Sequence, residues 1–176
     1  HYTRMACARA RLVPWFEITT NGLIDATALP FLGDYMDSIV ISLDGDESFH
    51  DLARRRPDGA GTYREIAASI RRLSRFPAEL CLRSCITHRS VDAMPGIAEH
   101  FCSAFEFDVL CFEMLAANDR SRAAGLFPPD ACRFAAGVLR AAERAVPHRV
   151  PVIHGPSQLT GPRPSKCWKP RRWRLS

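Results

Sequence analysis

Lysine is almost missing from this 176-residue chain: it occurs only at Lys166 and Lys169, both close to the C-terminus. That excludes Schiff-base catalysis from the body of the protein, because such chemistry needs a lysine amine at the site. No apolar run approaches the roughly 20 residues of a membrane helix. No positively charged start followed by an apolar stretch reads as a secretory leader. Gly59-x-Gly61 is too short for a dinucleotide fingerprint and lacks a strand directly before it. No histidine follows Ser42 and Asp44 at a spacing that would make them a catalytic triad. The chain begins with His1, and an internal piece of a longer protein is expected.

Charge and cysteine are present but unevenly placed. Of 24 basic residues, six (Arg163, Lys166, Lys169, Arg171, Arg172 and Arg174) fall in the last stretch, leaving 18 against 19 acidic ones. The net charge of +5 is therefore a near-neutral body plus a basic tail. Residues 1–155 read as one domain, and 156–176 read as a disordered, solvated terminus rather than a nucleic-acid or lipid contact. Seven cysteines, an odd number, are scattered at 7, 81, 85, 102, 111, 132 and 167. Most lie in apolar periodic segments, which points to reduced, buried thiols in a cytoplasmic protein and not to a disulfide framework.

The hydrophobic pattern alternates between short apolar runs and longer stretches of helical period. Strands are predicted at Trp15–Thr19, Ile39–Ile41, Leu80–Ile86, Asp108–Phe112 and Val150–Ile153. Between them, helices are predicted from Asp25 to Met36, Tyr63 to Phe76, Val91 to Phe105, and from Pro128-Pro129-Asp130 to Ala145, with another ending before Leu12. Asp25 is expected to cap the first of these, Thr62-x-x-Glu65 to form a capping box, and proline to take the first helical position near Asp130. Loops are expected around His50 to Arg56 and from Leu115 to Gly125. Four strand–helix units in succession give an α/β fold with a parallel sheet. They are too few for an eight-unit barrel, so the alternatives are an open sheet or part of a barrel.

Each predicted strand ends in polar residues: Thr20-Asn21, Ser42 with Asp44, Thr87-His88, and Glu113. In parallel α/β architecture these ends form one rim, where sites lie. His50-Asp51 reads equally as an acid–base pair or a loop-stabilising turn. Arg54, Arg55 and Arg56 fit a carboxylate or phosphate, or a solvated charge run. Cys81-x3-Cys85-x2-His88 resembles a cluster-binding spacing, but along a strand the two thiols are about 13 Å apart, so buried structural cysteines are expected and no metal ligands are assigned.

Taken together, Ile18-Thr19-Thr20-Asn21-Gly22, Ile41-Ser42-Leu43-Asp44-Gly45, His50-Asp51-x2-Arg54, Gly59-x-Gly61, Leu82-Arg83-x2-Ile86-Thr87, Val91-Asp92 and Phe112-Glu113-x-Leu115 resemble the middle of a radical S-adenosylmethionine enzyme. The resemblance covers roughly residues 10–145 and is closest to the SPASM branch, which includes sulfatase-maturating and peptide-modifying enzymes. It implies a partial, TIM-like (β/α) barrel, this chain being the last four βα units of six. It further implies cofactor-binding roles for Thr20, Asn21, Ser42 and Asp44 (methionine and ribose parts), Arg83 on the next strand, the loop residue Arg54, and the backbone at Leu115 (adenine).

What the resemblance implies for the parent protein is a peptide or protein substrate, an external electron donor and a 4Fe–4S cluster. The cluster's reduction of S-adenosylmethionine would release a 5′-deoxyadenosyl radical. The CxxxCxxC cluster loop is absent from these residues and is expected upstream of His1, and Cys167 alone cannot hold a cluster. Two other readings are an inactive remnant or binding module, and an unrelated α/β lyase or aldolase. Residues 1–176 with S-adenosylmethionine and a strong reductant should form no 5′-deoxyadenosine by chromatography. Measurable product would mean that the cluster requirement is met within this chain.

Overall fold

A computed structural model describes residues 2–155. The tail and Cys167 lie outside the described residues. The elements run α1 (Tyr2–Arg9), β1 (Glu17–Thr20), α2 (Ala28–Tyr35), β2 (Ser38–Ser42), α3 (Glu47–Ala53) and α4 (Tyr63–Leu73). They continue with β3 (Glu79–Ile86), a 3-10 turn (Val91–Ala93), α5 (Met94–Ala104), β4 (Val109–Met114), α6 (Asp119–Ala123), α7 (Ala131–Ala145) and β5 (Val152–His154). The five strands form one sheet in the order β1-β2-β3-β4-β5. Every neighbouring pair is parallel. The α/β expectation and the strand positions hold within a residue or two.

Sequential parallel order has a geometric consequence. Right-handed crossovers that always step to the next strand place their helices on one side of the sheet. The packing shows it. Ile39, Ile41, Leu80, Leu82, Leu110 and Phe112 join Ile66, Ile70, Met94, Phe101 and Phe134 from the helices in a single core. The alternate strand residues Val40, Cys81, Val109 and Cys111 form a separate small cluster with Ile153, which no helix joins among the described residues. The opposite face is therefore an inner one, as in a segment of barrel wall. β1 is an edge strand, and its side chains are exposed or half-buried.

Several local expectations are corrected. Asp25 does not cap α2: its carboxylate accepts from Thr27 N (2.8 Å) in a local turn, and the helix begins later, at Ala28. The His50 segment is not a loop but the short helix α3, started by Asp46, which accepts from Phe49 N (2.9 Å). The Thr62–Glu65 capping box does not form. Thr62 makes no side-chain cap; Asp51 reaches across and accepts from Thr62 N (2.8 Å) and Tyr63 N (3.0 Å). Glu65 instead pairs with Arg56 (2.5 Å). Residues 115–125 contain α6, opened by a reciprocal Asn118–Ser121 pair of hydrogen bonds (2.8 and 3.0 Å). At α7 the cap is Asp130, accepting from Arg133 N (2.9 Å), so neither proline occupies the first helical position.

Gly22 is the backbone feature that the β1 turn requires. Its φ is +81°, and a Cβ there would lie 2.7 Å from Ile66 Cγ2 and 2.9 Å from Ile41 Cγ2. The turn is thus pressed against β2 and α4, where only glycine fits. Ile70, fully buried in α4, should cost about 2–5 kcal/mol when truncated to alanine, because a cavity remains. Leu139→Ala on the exposed side of α7 should cost under about 0.5 kcal/mol. Urea unfolding of both variants checks the one-sided core.

Candidate functional site

The C-terminal strand ends bring the predicted residues to one rim. β2 supplies Ser42 and, just past its end, Asp44. The pairing register sets Ser42 opposite Arg83 and Arg83 opposite Cys111. In-register parallel neighbours share a face, so Ser42, Arg83 and Cys111 lie across the inner face. Cys85 pairs with Glu113 one step further along. Arg83 Nη2 donates to Ser42 Oγ (3.4 Å), and its Nη1 meets Glu113 Oε2 at 3.3 Å. Both contacts are long, and the side chains keep 31% and 36% exposure. A guanidinium has five N–H donors, so Arg83 retains capacity for another acceptor.

Asp44 is used differently. It is 7% exposed, and a carboxylate so buried needs partners. Arg54 Nε donates to its Oδ2 (2.5 Å), Arg54 Nη2 approaches Oδ1 (3.4 Å), and the Cys85 main-chain N–H donates to Oδ1 (3.0 Å). Burial lowers the Arg54 pKa, the hydrogen bond and charge of Asp44 raise it, and the net effect is a rise. Behind the pair stands His50, fully buried. The Asp44 N–H donates to His50 Nδ1 (3.1 Å), and His50 Nε2 lies 3.1 Å from Thr62 Oγ1. Between the two sequence readings of His50-Asp51, the structure favours a scaffold: His50 is locked in this network, and Asp51 caps α4. Of the three arginines, Arg54 pairs with Asp44, Arg55 donates to the Asp51 carbonyl (2.6 Å), and Arg56 pairs with Glu65.

The remaining predicted residues are placed apart. Thr20 pairs in register with Ile41, on the helix-covered side, and its Oγ1 accepts from Gly22 N (3.1 Å). Asn21 accepts from Leu23 N (3.2 Å) at the exposed end of β1. Leu115 follows β4, half-buried, with its N–H donating to the Ile86 carbonyl (2.9 Å). The structure adds Glu113 to the inner-face group. Its signal in the sequence was its place at a strand end, but nothing local shows its pairing with Arg83. Cys81 and Cys85 lie four residues apart along β3, and His88 is engaged with Phe127 N (3.2 Å). Burial first, then the charge of Asp44, push the Cys85 thiol above its ordinary pKa, so it is protonated at neutral pH. Among the described residues, no three His, Cys, Asp or Glu side chains converge to hold a metal ion. A cleft of about 440 Å³ opens between α2 and α4, lined by Asp25, Leu29, Arg56, Glu65, Ser69 and Arg72. It belongs to the helix side and not to the rim group.

No protein-family model and no curated protein matches the sequence. Solved structures do match the fold. One is native anSMEcpe with bound AdoMet and Cp18Cys peptide: TM-score 0.65, 15% identity, covering 86% of this chain and 44% of that chain. The same protein with bound AdoMet and Kp18Cys peptide gives 0.64 at 16% identity. Another is a domain of pyruvate-formate lyase-activating enzyme from Bacteroides vulgatus ATCC 8482: TM-score 0.59, 13% identity, covering 85% of each chain. At these identities the likeness shows the fold. The present chain spans less than half the length of anSMEcpe.

Removing Arg54 (Arg54→Met) would leave the Asp44 carboxylate with the Cys85 amide and no cation. The expected loss is about 1–3 kcal/mol, the cost of an under-satisfied buried polar group. The exposed pair Arg56–Glu65 should lose under about 1 kcal/mol on Arg56→Met. Chemical denaturation at neutral pH compares the two.

Proposed function

We propose that this chain is part of the catalytic barrel of a radical S-adenosylmethionine enzyme, the last four βα units of a six-unit partial barrel of the SPASM type. The parent acts on a peptide or protein side chain in the cytoplasm, with electrons from an external donor. The observation that carries the reading is the meeting of Ser42, Arg83 and Glu113 at the C-terminal end of the inner face. It occurs in a fold shared with AdoMet-bound structures. The peptides bound in those structures support a peptide substrate.

The donor set fits the cofactor. S-adenosylmethionine presents an α-carboxylate, an α-ammonium and ribose hydroxyls. Arg83 offers a guanidinium for the carboxylate, Glu113 a carboxylate for the ammonium, and Ser42 a hydroxyl. Asn21 and the Leu115 backbone lie at neighbouring strand ends apart from this set, Thr20 is turned to the helix side, and Asp44 and Arg54 hold the rim. When bound beside a reduced 4Fe–4S cluster, the cofactor supplies radical chemistry for hydrogen abstraction. The described residues offer no group of three ligands for the cluster itself, so in this reading its ligands come from sequence outside them. The 176 residues contain no CxxxCxxC triplet; that favours a second reading, a non-catalytic binding module or remnant with the same fold.

Calorimetry with S-adenosylmethionine tests the site. The chain should bind, and Arg83→Met should weaken binding roughly tenfold or more, the worth of a charged hydrogen bond. Arg72→Met in the α2–α4 cleft should leave it unchanged. Equal effects of the two substitutions, or no binding by the unaltered chain, would remove the inner face as the cofactor site.

A further inference from the structure

His50 has so far been only part of a network, yet the network fixes its protonation. An amide N–H can only donate. The Asp44 N–H therefore requires a bare Nδ1, and the proton of the neutral ring must be on Nε2. Nε2–H then donates to Thr62 Oγ1, whose own proton goes to the Arg54 carbonyl (2.9 Å). The chain of donors closes on the end of helix α3, which carries His50 and is followed by Arg54 at its C-cap. The two residues that secure Asp44, one by its backbone and one by its carboxylate, are thus tied to each other.

The reason to secure Asp44 lies on the next strand. Ser42 is in register with Arg83, and the Cys85 N–H donates to Asp44 Oδ1. Asp44 is thus held beside the strand that carries Arg83, the cation of the inner face. The charges of Asp44 and Arg83 both act on the Cys85 thiol, so a carboxylate released from Arg54 would have Arg83 as a second cation in the same neighbourhood. That pairing would occupy the guanidinium that now keeps only two long contacts.

We propose that His50 is a positioning residue: its neutral ring pins the Asp44 amide, keeps the Asp44 carboxylate on Arg54, and so leaves Arg83 open to an anionic ligand group. The last step rests on the inner-face site proposed above; the first two do not. The groups facing the ring are Asp44 beyond β2, Asp51 and Arg54 from α3, and Thr62 and Tyr63 at the start of α4, with Cys85 of β3 behind Asp44. Burial, the largest influence, pushes the imidazole below its ordinary value of 6.5; Asp44 and then Asp51 oppose that, and Arg54 adds to it. The unfolded ring takes up its proton near 6.5 while the folded ring does not. The contribution of His50 to stability is thus level above that pH and falls as pH drops below it, up to tenfold in the folding equilibrium per pH unit, until the folded ring also titrates. Protonation then turns Nδ1 into a donor and breaks the contact with the Asp44 amide.

Two variants separate the ring's two bonds. His50→Asn keeps an acceptor near the Nδ1 position; His50→Gln keeps a group that reaches Thr62 but no acceptor for the Asp44 amide. Nitrogen-15 spectra of the full chain should show His50 as the Nε2–H tautomer, titrating below 6.5. The Asp44 amide resonance should move in His50→Gln and be retained in His50→Asn. Binding of S-adenosylmethionine, by calorimetry, should fall roughly tenfold in His50→Gln, hold in His50→Asn, and return in the double variant His50→Gln with Asp44→Asn, since a neutral amide competes for Arg83 far more weakly than a carboxylate. The opposite tautomer, or an Asp44 amide indifferent to a folded His50→Gln, overturns the positioning role. A double variant that does not regain binding overturns the link to Arg83. If the unaltered chain binds no S-adenosylmethionine, the inner-face reading fails, and the tautomer and the Asp44 amide still decide the role of His50.

Discussion

A carboxylate withdrawn almost wholly from solvent has to be paired, and the pairing of Asp44 sets the shape of the rim. Its two oxygens collect Arg54 and the Cys85 amide, and its own N–H is taken by His50. Three elements meet at this residue: the end of β2, the helix α3 with its C-cap, and the C-terminal end of β3. The partly exposed Arg54 cation against the buried Asp44 anion offsets the cost of desolvating the carboxylate. The consequence for the inner face is a division of labour among its charges. Asp44 is used up, whereas Arg83 and Glu113 form a looser pair at 3.3 Å and stay partly exposed.

The sheet makes that division possible. Parallel strands in sequential order put the helices on one side, and alternation then sorts the side chains. On β3, Leu80, Leu82 and Ile86 fill the helix core, while Cys81, Arg83 and Cys85 face inward. A one-residue slip in the β2–β3 register would exchange these sets. The core therefore fixes the site: the buried Ile39, Ile41, Leu80 and Leu82 hold the register in which Ser42 meets Arg83.

The strands were legible because each is a short β-branched or apolar run with a polar end, and β2 is the plainest case. The long helices were legible from period and, for α7, from the Pro128-Pro129-Asp130 run, although Asp130 and not a proline opens it. What failed to show in the sequence was contact between segments. Thr62-x-x-Glu65 has the letters of a capping box, but Asp51, eleven residues earlier, reaches the helix start first, and Thr62 is drawn to His50 and Arg54. The helix α3 is only seven residues long, too short for a periodic signal, and is stabilised by its cap and by burial of His50. Ser42 and Asp44 lie at a strand end as the pattern implied, and Arg54 and Arg83, which the resemblance singled out, contact Asp44 and Ser42, whereas Thr20 points to the helix side. Glu113 required the β3–β4 register, which a single sequence does not print.

Two features of the chain pull toward different ligand positions: the inner-face group of Ser42, Arg83 and Glu113, and the cleft of Asp25, Arg56, Ser69 and Arg72 between α2 and α4. The most direct measurement is chemical-shift mapping of the nitrogen-15-labelled chain during titration with S-adenosylmethionine. The account expects saturable shifts concentrated at the amides of residues 42–44, 83–85 and 113–115. Shifts confined to residues 23–29 and 65–72, or none at all, would contradict it.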